Sequence, residues 1–353
     1  MNKKELKQLF IIFLISRFFL IIFLIIEKNL SILTLYDGEH YINIAENGYV
    51  TPMLYAFFPL YPLLIRFFHI IIPSYKIVGS LISNISSFLS LIILFNITKK
   101  DNKFNLICFL LSPILAYTSI VYTESLFMLL TLLGYYLYKK DKYFLSSIVV
   151  GLAILTRNSG IILWGAIGLD MLYRLFKKKD IKIKDIFIFG MISICIGASY
   201  PIYLYIKESN FLMFAKVQET YWYRVKGNVI TGIISDIKVI KRTHNPSNII
   251  IFLENWLSYF LTLILGIKIF KEDKVSSIYI IVSLLAFQTM YRDTSYWTSL
   301  ASISLFRYVI NLFPIYIYMF QNKNNNQKMI IASIIIFFSL FNTIGFYLGG
   351  FIG

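Results

Sequence analysis

The feature that most restricts this chain is a succession of apolar runs, many near the ~20 residues that one helix needs to cross a bilayer at about 1.5 Å per residue. Eleven can be marked, at residues 9–26, 77–97, 104–120, 122–138, 144–155, 161–176, 186–206, 249–270, 275–290, 300–320 and 329–351. The fifth and sixth are short. The chain between them, Arg157-Asn158-Ser159-Gly160, reads as the turn of a pair that either crosses or dips in as a re-entrant hairpin. With 58% hydrophobic residues and a mean hydropathy of +0.71, no soluble globule could enclose the apolar surface. The expected fold class is therefore an all-α polytopic membrane protein, a single domain over residues 1–353, with about 11 transmembrane helices.

A formal charge of +16 would suggest nucleic acid in a soluble protein. Here the position of the basic residues relative to the runs decides, and no nucleic-acid partner is expected. With the N-terminus cytoplasmic, the inner segments hold 20 Lys and Arg against 12 outside, and Arg17 and Arg307 lie within runs. That asymmetry satisfies the positive-inside rule and leaves the C-terminus outside. The first run follows Lys3, Lys4 and Lys7, lacks a small-residue cleavage site and precedes Glu27-Lys28, so it reads as a retained helix. Usage rich in Lys, Asn and Ile suggests a prokaryotic cell membrane. Cys108 and Cys195 fall inside runs and the histidines are scattered at His40, His69 and His244, so neither a disulfide framework nor a metal site is expected.

Two outer loops are long, residues 27–76 and 207–248, and loops beyond ~12–15 residues usually carry function. The first contains Asp37-Gly38-Glu39-His40-Tyr41 and continues through Gly48-Tyr49. Asp37 suits an N-cap, Tyr41, Ile44 and Ala45 recur at helical spacing, and Gly48 suits a left-handed end. A short amphipathic helix on the bilayer surface is expected there, with Asp37 and His40 near its start.

The other polar groups expected on the outer face are Glu124, Arg157, Gln218, Arg224, Arg292, Asp293 and Arg307. An arginine inside or beside a span needs a partner; headgroup contact or pairing with Glu124 and Asp293 is the alternative to a functional role. One carboxylate among several arginines suits transfer from a lipid phosphate. Arginine grips phosphate bidentately, and a carboxylate can serve as general base toward a hydroxyl. Nucleotide sugars are cytoplasmic, and the chain has no Gly-rich nucleotide loop, so a sugar donor on this face is expected to be lipid-linked. Two rival readings stay open. A lipid-linked-sugar flippase would place its polar groups at the midplane between structural repeats, and a non-catalytic membrane assembly partner would leave the gathered charges without a task.

An ordered series of motifs resembles a known family. It comprises Asp37-Gly38-Glu39-His40-Tyr41, Phe57-Phe58-Pro59-Leu60-Tyr61-Pro62, Tyr122-Thr123-Glu124-Ser125, Thr156-Arg157-Asn158-Ser159-Gly160, Gln218 through Arg224, and Arg307-Tyr308 with Pro314. The series is similar to that of the PIG-V-like mannosyltransferases, within the multispanning GT-C glycosyltransferases. The resemblance implies a GT-C-type fold and Asp37 as the catalytic base. It also implies a polyprenyl-phosphate mannose donor, inversion at the anomeric carbon and no required metal or cofactor. His40, Glu124, Arg157, Gln218, Arg224 and Arg307 are the residues expected to bind substrate and phosphate. The acceptor is expected to be a glycan or glycolipid on the outer face.

Overall fold

The computed structural model describes residues 2–27, 30–98, 103–295, 298–348 and 350. The helices run α1 (Lys3–Ser16), α2 (Phe18–Glu27), α3 (Asp37–Asn47), α4 (Leu60–His69), α5 (Tyr75–Ile97) and α6 (Lys103–Leu110). They continue with α7 (Glu124–Lys139), α8 (Tyr143–Thr156), α9 (Gly160–Tyr173), α10 (Ile183–Gly197), α11 (Ser199–Glu208) and α12 (Met213–Trp222). A short strand, β1 (Arg224–Lys226), is followed by α13 (Val229–Thr243), α14 (Pro246–Lys268) and α15 (Lys274–Phe287). The chain ends with β2 (Met290–Arg292), α16 (Leu305–Ile310), α17 (Pro314–Tyr318) and α18 (Asn325–Tyr347).

Among the described residues, four helical stretches are long and apolar enough to cross a membrane: Tyr75–Ile97, Ile183–Glu208, Pro246–Lys271 and Asn325–Tyr347. The α1–α2 pair adds a fifth if its 44° bend belongs to one span. Arg17 sits at that bend, donating from Nε to Asn84 Oδ1 (2.8 Å) and from Nη2 to Ser87 Oγ (2.6 Å). Only 28% of the apolar window of α18 is buried within the protein, and large side chains such as Ile206 and Phe337 face outward. Such a surface is stable only against lipid. The α8–α9 pair turns at residues 157–159 as expected. At 14 residues each, these helices reach ~21 Å, short of the ~30 Å hydrocarbon core.

Two expected helices are not continuous. The run 104–120 is helical only to Leu110, and residues 111–123 follow an irregular, buried path. Irregular backbone at membrane depth persists only where protein groups satisfy it, and the serine-rich face of α5 does so. Ser80 Oγ and Asn84 Nδ2 both donate to the Ser119 carbonyl at 2.8 Å, and Ser83 Oγ donates to that of Tyr122 at 3.0 Å. The run 300–320 is likewise broken, into α16 and α17, with Pro314 opening the second.

The expected surface helix exists as α3, but it lies on protein rather than lipid. Tyr41, Ile42, Ile44 and Ala45 are buried, and α3 packs on α4 and α5. Gly38 permits the approach, since a Cβ there would stand 3.1 Å from the Val121 carbonyl oxygen. Gly48 ends the helix at φ +76°, a region that favours glycine. Its ψ of −162° places it outside the left-handed helical well expected from the sequence. The second long loop folds into α12, β1 and α13, and β1 pairs antiparallel with β2 so that Arg224 stands opposite Arg292.

Candidate active site

Four charged residues from four elements meet at the helix ends that carry α3. Asp37 is the first residue of α3, Glu124 the first of α7, Arg157 the residue after α8, and Arg307 lies within α16. Arg157 Nη1 donates to Glu124 Oε1 at 2.8 Å. Arg307 Nε lies 3.3 Å from the same oxygen, and its Nη2 donates to Asp37 Oδ2 at 3.2 Å. The Glu124 side chain is 1% exposed and that of Asp37 21%. The cluster is therefore closed at its Glu124 end and reachable at Asp37.

The elements beneath hold each group in place. Tyr36, not Asp37, is the N-cap of α3, at φ 52°. The Asp37 carboxylate is thus not spent on capping, and its main-chain N–H donates to Tyr122 Oη at 3.2 Å. The segment leading into Arg307 is pinned by two buried side chains. Asp236 of α13 accepts from the N–H and hydroxyl of Ser302 at 3.1 and 2.6 Å. Asn255 of α14 donates to the Ser302 carbonyl and accepts from the Phe306 N–H at 2.9 Å. The irregular 111–123 segment delivers Tyr117, Tyr122 and Glu124. The Arg307 guanidinium lies 5.1 Å from the Tyr117 ring and 5.6 Å from that of Tyr122, distances at which an aromatic face attracts a cation.

Tyr308 is a meeting point that sequence reasoning placed beside Arg307 without giving it a role. The guanidinium of Arg157 stands 5.1 Å from its ring and that of Arg307 5.4 Å, and Arg224 is within electrostatic reach. Arg224 thus approaches the cluster from the second long loop. Burial, and after it the neighbouring Arg224, hold the Arg292 guanidinium below its ordinary pKa. Gln218 sits on α12, where its carbonyl accepts the Tyr223 N–H; among the described residues its side chain makes no hydrogen bond to the cluster. Tyr122 and Tyr117 were missed as site residues because an apolar run masks aromatic residues that matter. Only the adjacency of Tyr122 to Thr123-Glu124 could have flagged one of them.

His40 lies apart from the ion pairs, with ring centroids 4.9 Å from Phe57 and 5.6 Å from Trp222. Burial lowers its pKa from the ordinary 6.5, and the charges of Asp37 and Glu39 offset part of that. Its folded value is thus below its unfolded one, so the unfolded chain binds more protons between the two. Stability from this site is complete above pH ~6.5 and is lost as pH falls through the folded value. The thermal midpoint should therefore fall from pH 7 to pH 5, and fall less in His40→Phe. Parallel pH profiles for the two proteins would remove His40 as the cause.

The sequence profile described as mannosyltransferase (PIG-V) matches residues 13–234. No curated protein sequence matches the chain. Among solved structures, the fold is similar to the crystal structure of ArnT from Cupriavidus metallidurans bound to undecaprenyl phosphate, with a TM-score of 0.51 and 13% sequence identity. The likeness covers 90% of this chain and 62% of ArnT, so the chain spans less than two thirds of that protein's length. With more than half its residues in the matched region, from the first apolar helices through α3, Glu124, Arg157 and Arg224, the chain belongs to the PIG-V mannosyltransferase family.

Proposed function

We propose that the protein moves a hexose, mannose in the first instance, from a polyprenyl-phosphate sugar to a hydroxyl of a glycan or glycolipid acceptor, with inversion. The Asp37 face is taken to be the outer face of a prokaryotic cell membrane, in keeping with the distribution of Lys and Arg. The observation that carries the reading is the junction of Asp37 with Arg307. Arg307 spends Nη2 on Asp37 and sets Nε beside Glu124, while Nη1 is buried without a hydrogen-bond partner among the described residues. A buried guanidinium N–H costs about 1–3 kcal/mol or more while unsatisfied, and a phosphate oxygen is its natural complement. Arg224 and Arg292 stand opposite each other in the β1–β2 ladder, like charges that a phosphate would screen from one another. The undecaprenyl phosphate in the ArnT structure is a lipid phosphate of the kind these arginines would receive.

In this mechanism Asp37 takes the proton of the acceptor hydroxyl as its oxygen bonds to the anomeric carbon. The bond from that carbon to the phosphate oxygen breaks, and the electron pair leaves with the polyprenyl phosphate. Arg307, Arg157 and Arg224 stabilise the charge that builds there, where fixed donors contribute most. His40 packs against Trp222 and shapes the wall beside the base, and Gln218 supports the turn into Arg224. Membranes containing the protein should transfer labelled mannose from polyprenyl-phosphate mannose and not from GDP-mannose. Equal transfer from GDP-mannose without added lipid donor would overturn the assignment.

A further inference from the structure

A cavity of 350 Å³ lies between the start of α14, residues 298–303 and the end of α18. Small-molecule sites typically occupy ~300–1,000 Å³. Asn245, Ser247, Asn248, Thr298 and Ser299 supply amides and hydroxyls, and Ile251, Ile303 and Phe341 supply an apolar wall. None of the described residues lining it is charged. Asn248 Nδ2 donates to the Thr298 carbonyl at 3.1 Å, which ties the loop to α14 and shapes the rim.

Two connections join this cavity to the reacting groups. Ile303 lies in the turn just before α16, four residues ahead of Arg307, on the segment that Asp236 and Asn255 pin. Gly345 lines the cavity, and the next residue, Phe346, packs on Tyr36 and Tyr117 at ring-centroid distances of 5.4 and 4.8 Å. Those tyrosines adjoin Asp37 in sequence and Arg307 in space. One turn farther along each helix, three residues after Ile251 and three before Gly345, Asn342 Nδ2 donates to Glu254 Oε1 at 3.0 Å. Both side chains are buried, and Asn342 Oδ1 has no partner among the described residues. A buried carboxylate whose described contact is a carboxamide costs free energy in a membrane helix and so marks a functional position.

We propose that this cavity seats the neutral, polyhydroxylated headgroup of the acceptor, an amphipathic glycoside, and so presents its hydroxyl to Asp37 from the α14–α18 side. The inference rests on the glycosyl-transfer reading and names the chemistry of its second substrate. Sugar hydroxyls both donate and accept, which matches the amide and hydroxyl rim of Asn245, Ser247, Asn248, Thr298 and Ser299. A phosphate-bearing group would require a cation, and no cation is among the described residues that line the cavity.

The test is photolabelling in nanodiscs with a diazirine-bearing dodecyl maltoside, beside a diazirine-bearing phosphatidylcholine, followed by peptide mapping. The maltoside probe should label α14, residues 298–303 and α18 and be displaced by unlabelled maltoside. Labelling should fall by about tenfold or more in Ser247→Trp, at an exposed rim position, and in Gly345→Phe. Equal labelling of these segments by the phosphatidylcholine probe would make the cavity a site for bilayer lipid and overturn the proposal, as would glycoside labelling that neither variant reduces. Because labelling needs no turnover, it can succeed where sugar transfer fails. Conversely, wild-type transfer without labelling would leave the transferase standing and remove only this site.

Discussion

Asp37→Asn is expected to lower sugar transfer by about a hundred- to ten-thousandfold, the range that a positioned general base contributes, with the protein still present and folded in the membrane. Asparagine keeps the shape of the side chain and can still accept a hydrogen bond from Arg307, but it cannot take the acceptor proton. Arg307 retains its contact with Glu124 at 3.3 Å, and Asp37 is exposed enough for water to reach it. Folding should therefore be little disturbed. Initial rates at saturating polyprenyl-phosphate mannose, measured beside the thermal midpoint, separate the two effects. An Asn variant working within about threefold of wild type would take Asp37 out of the proton transfer.

Glu124→Gln is expected to have the largest effect on stability. Arg157 and Arg307 share one oxygen of this carboxylate, which is almost completely enclosed. Without its charge, Arg307 keeps Asp37 while Arg157, 17% exposed, is left with no carboxylate among the described residues. Removing one partner from a buried ion pair costs about 3–5 kcal/mol, because the remaining charge stays desolvated. Loss of folded protein on heating in detergent should accelerate, and Glu124→Gln with Arg157→Leu should recover part of the loss by removing the stranded cation. A heating profile equal to that of wild type would mean that water already reaches Glu124.

The spans that were plain in the sequence are those whose stability is local. α5, α14 and α18 begin and end within a few residues of the expected runs, since apolar length alone places a helix in a bilayer. The runs 104–120 and 300–320 look no different in hydropathy, yet neither is one helix. Their main-chain groups are met by Ser80, Ser83 and Asn84 in one case and by Asp236 and Asn255 in the other. Those partners lie about 35–66 residues away in sequence, beyond the reach of any periodicity.

The candidate site divides the same way. That Asp37, Glu124, Arg157 and Arg307 are unusual could be read from the sequence, because a charge beside or within an apolar run is costly wherever it occurs. The sequence also determined the helical period of α3 and the membrane-spanning character of the chain, both set by neighbours along the chain. Only the tertiary structure decided which arginine meets which carboxylate, that Asp37 is released from capping by Tyr36, and that His40 turns to Phe57 and Trp222 instead of joining the ion pairs. The physical reason is range. Hydropathy and period act between residues a turn apart, whereas charge pairing deep in a protein is settled by how separate helices pack and by which oxygen each guanidinium can reach.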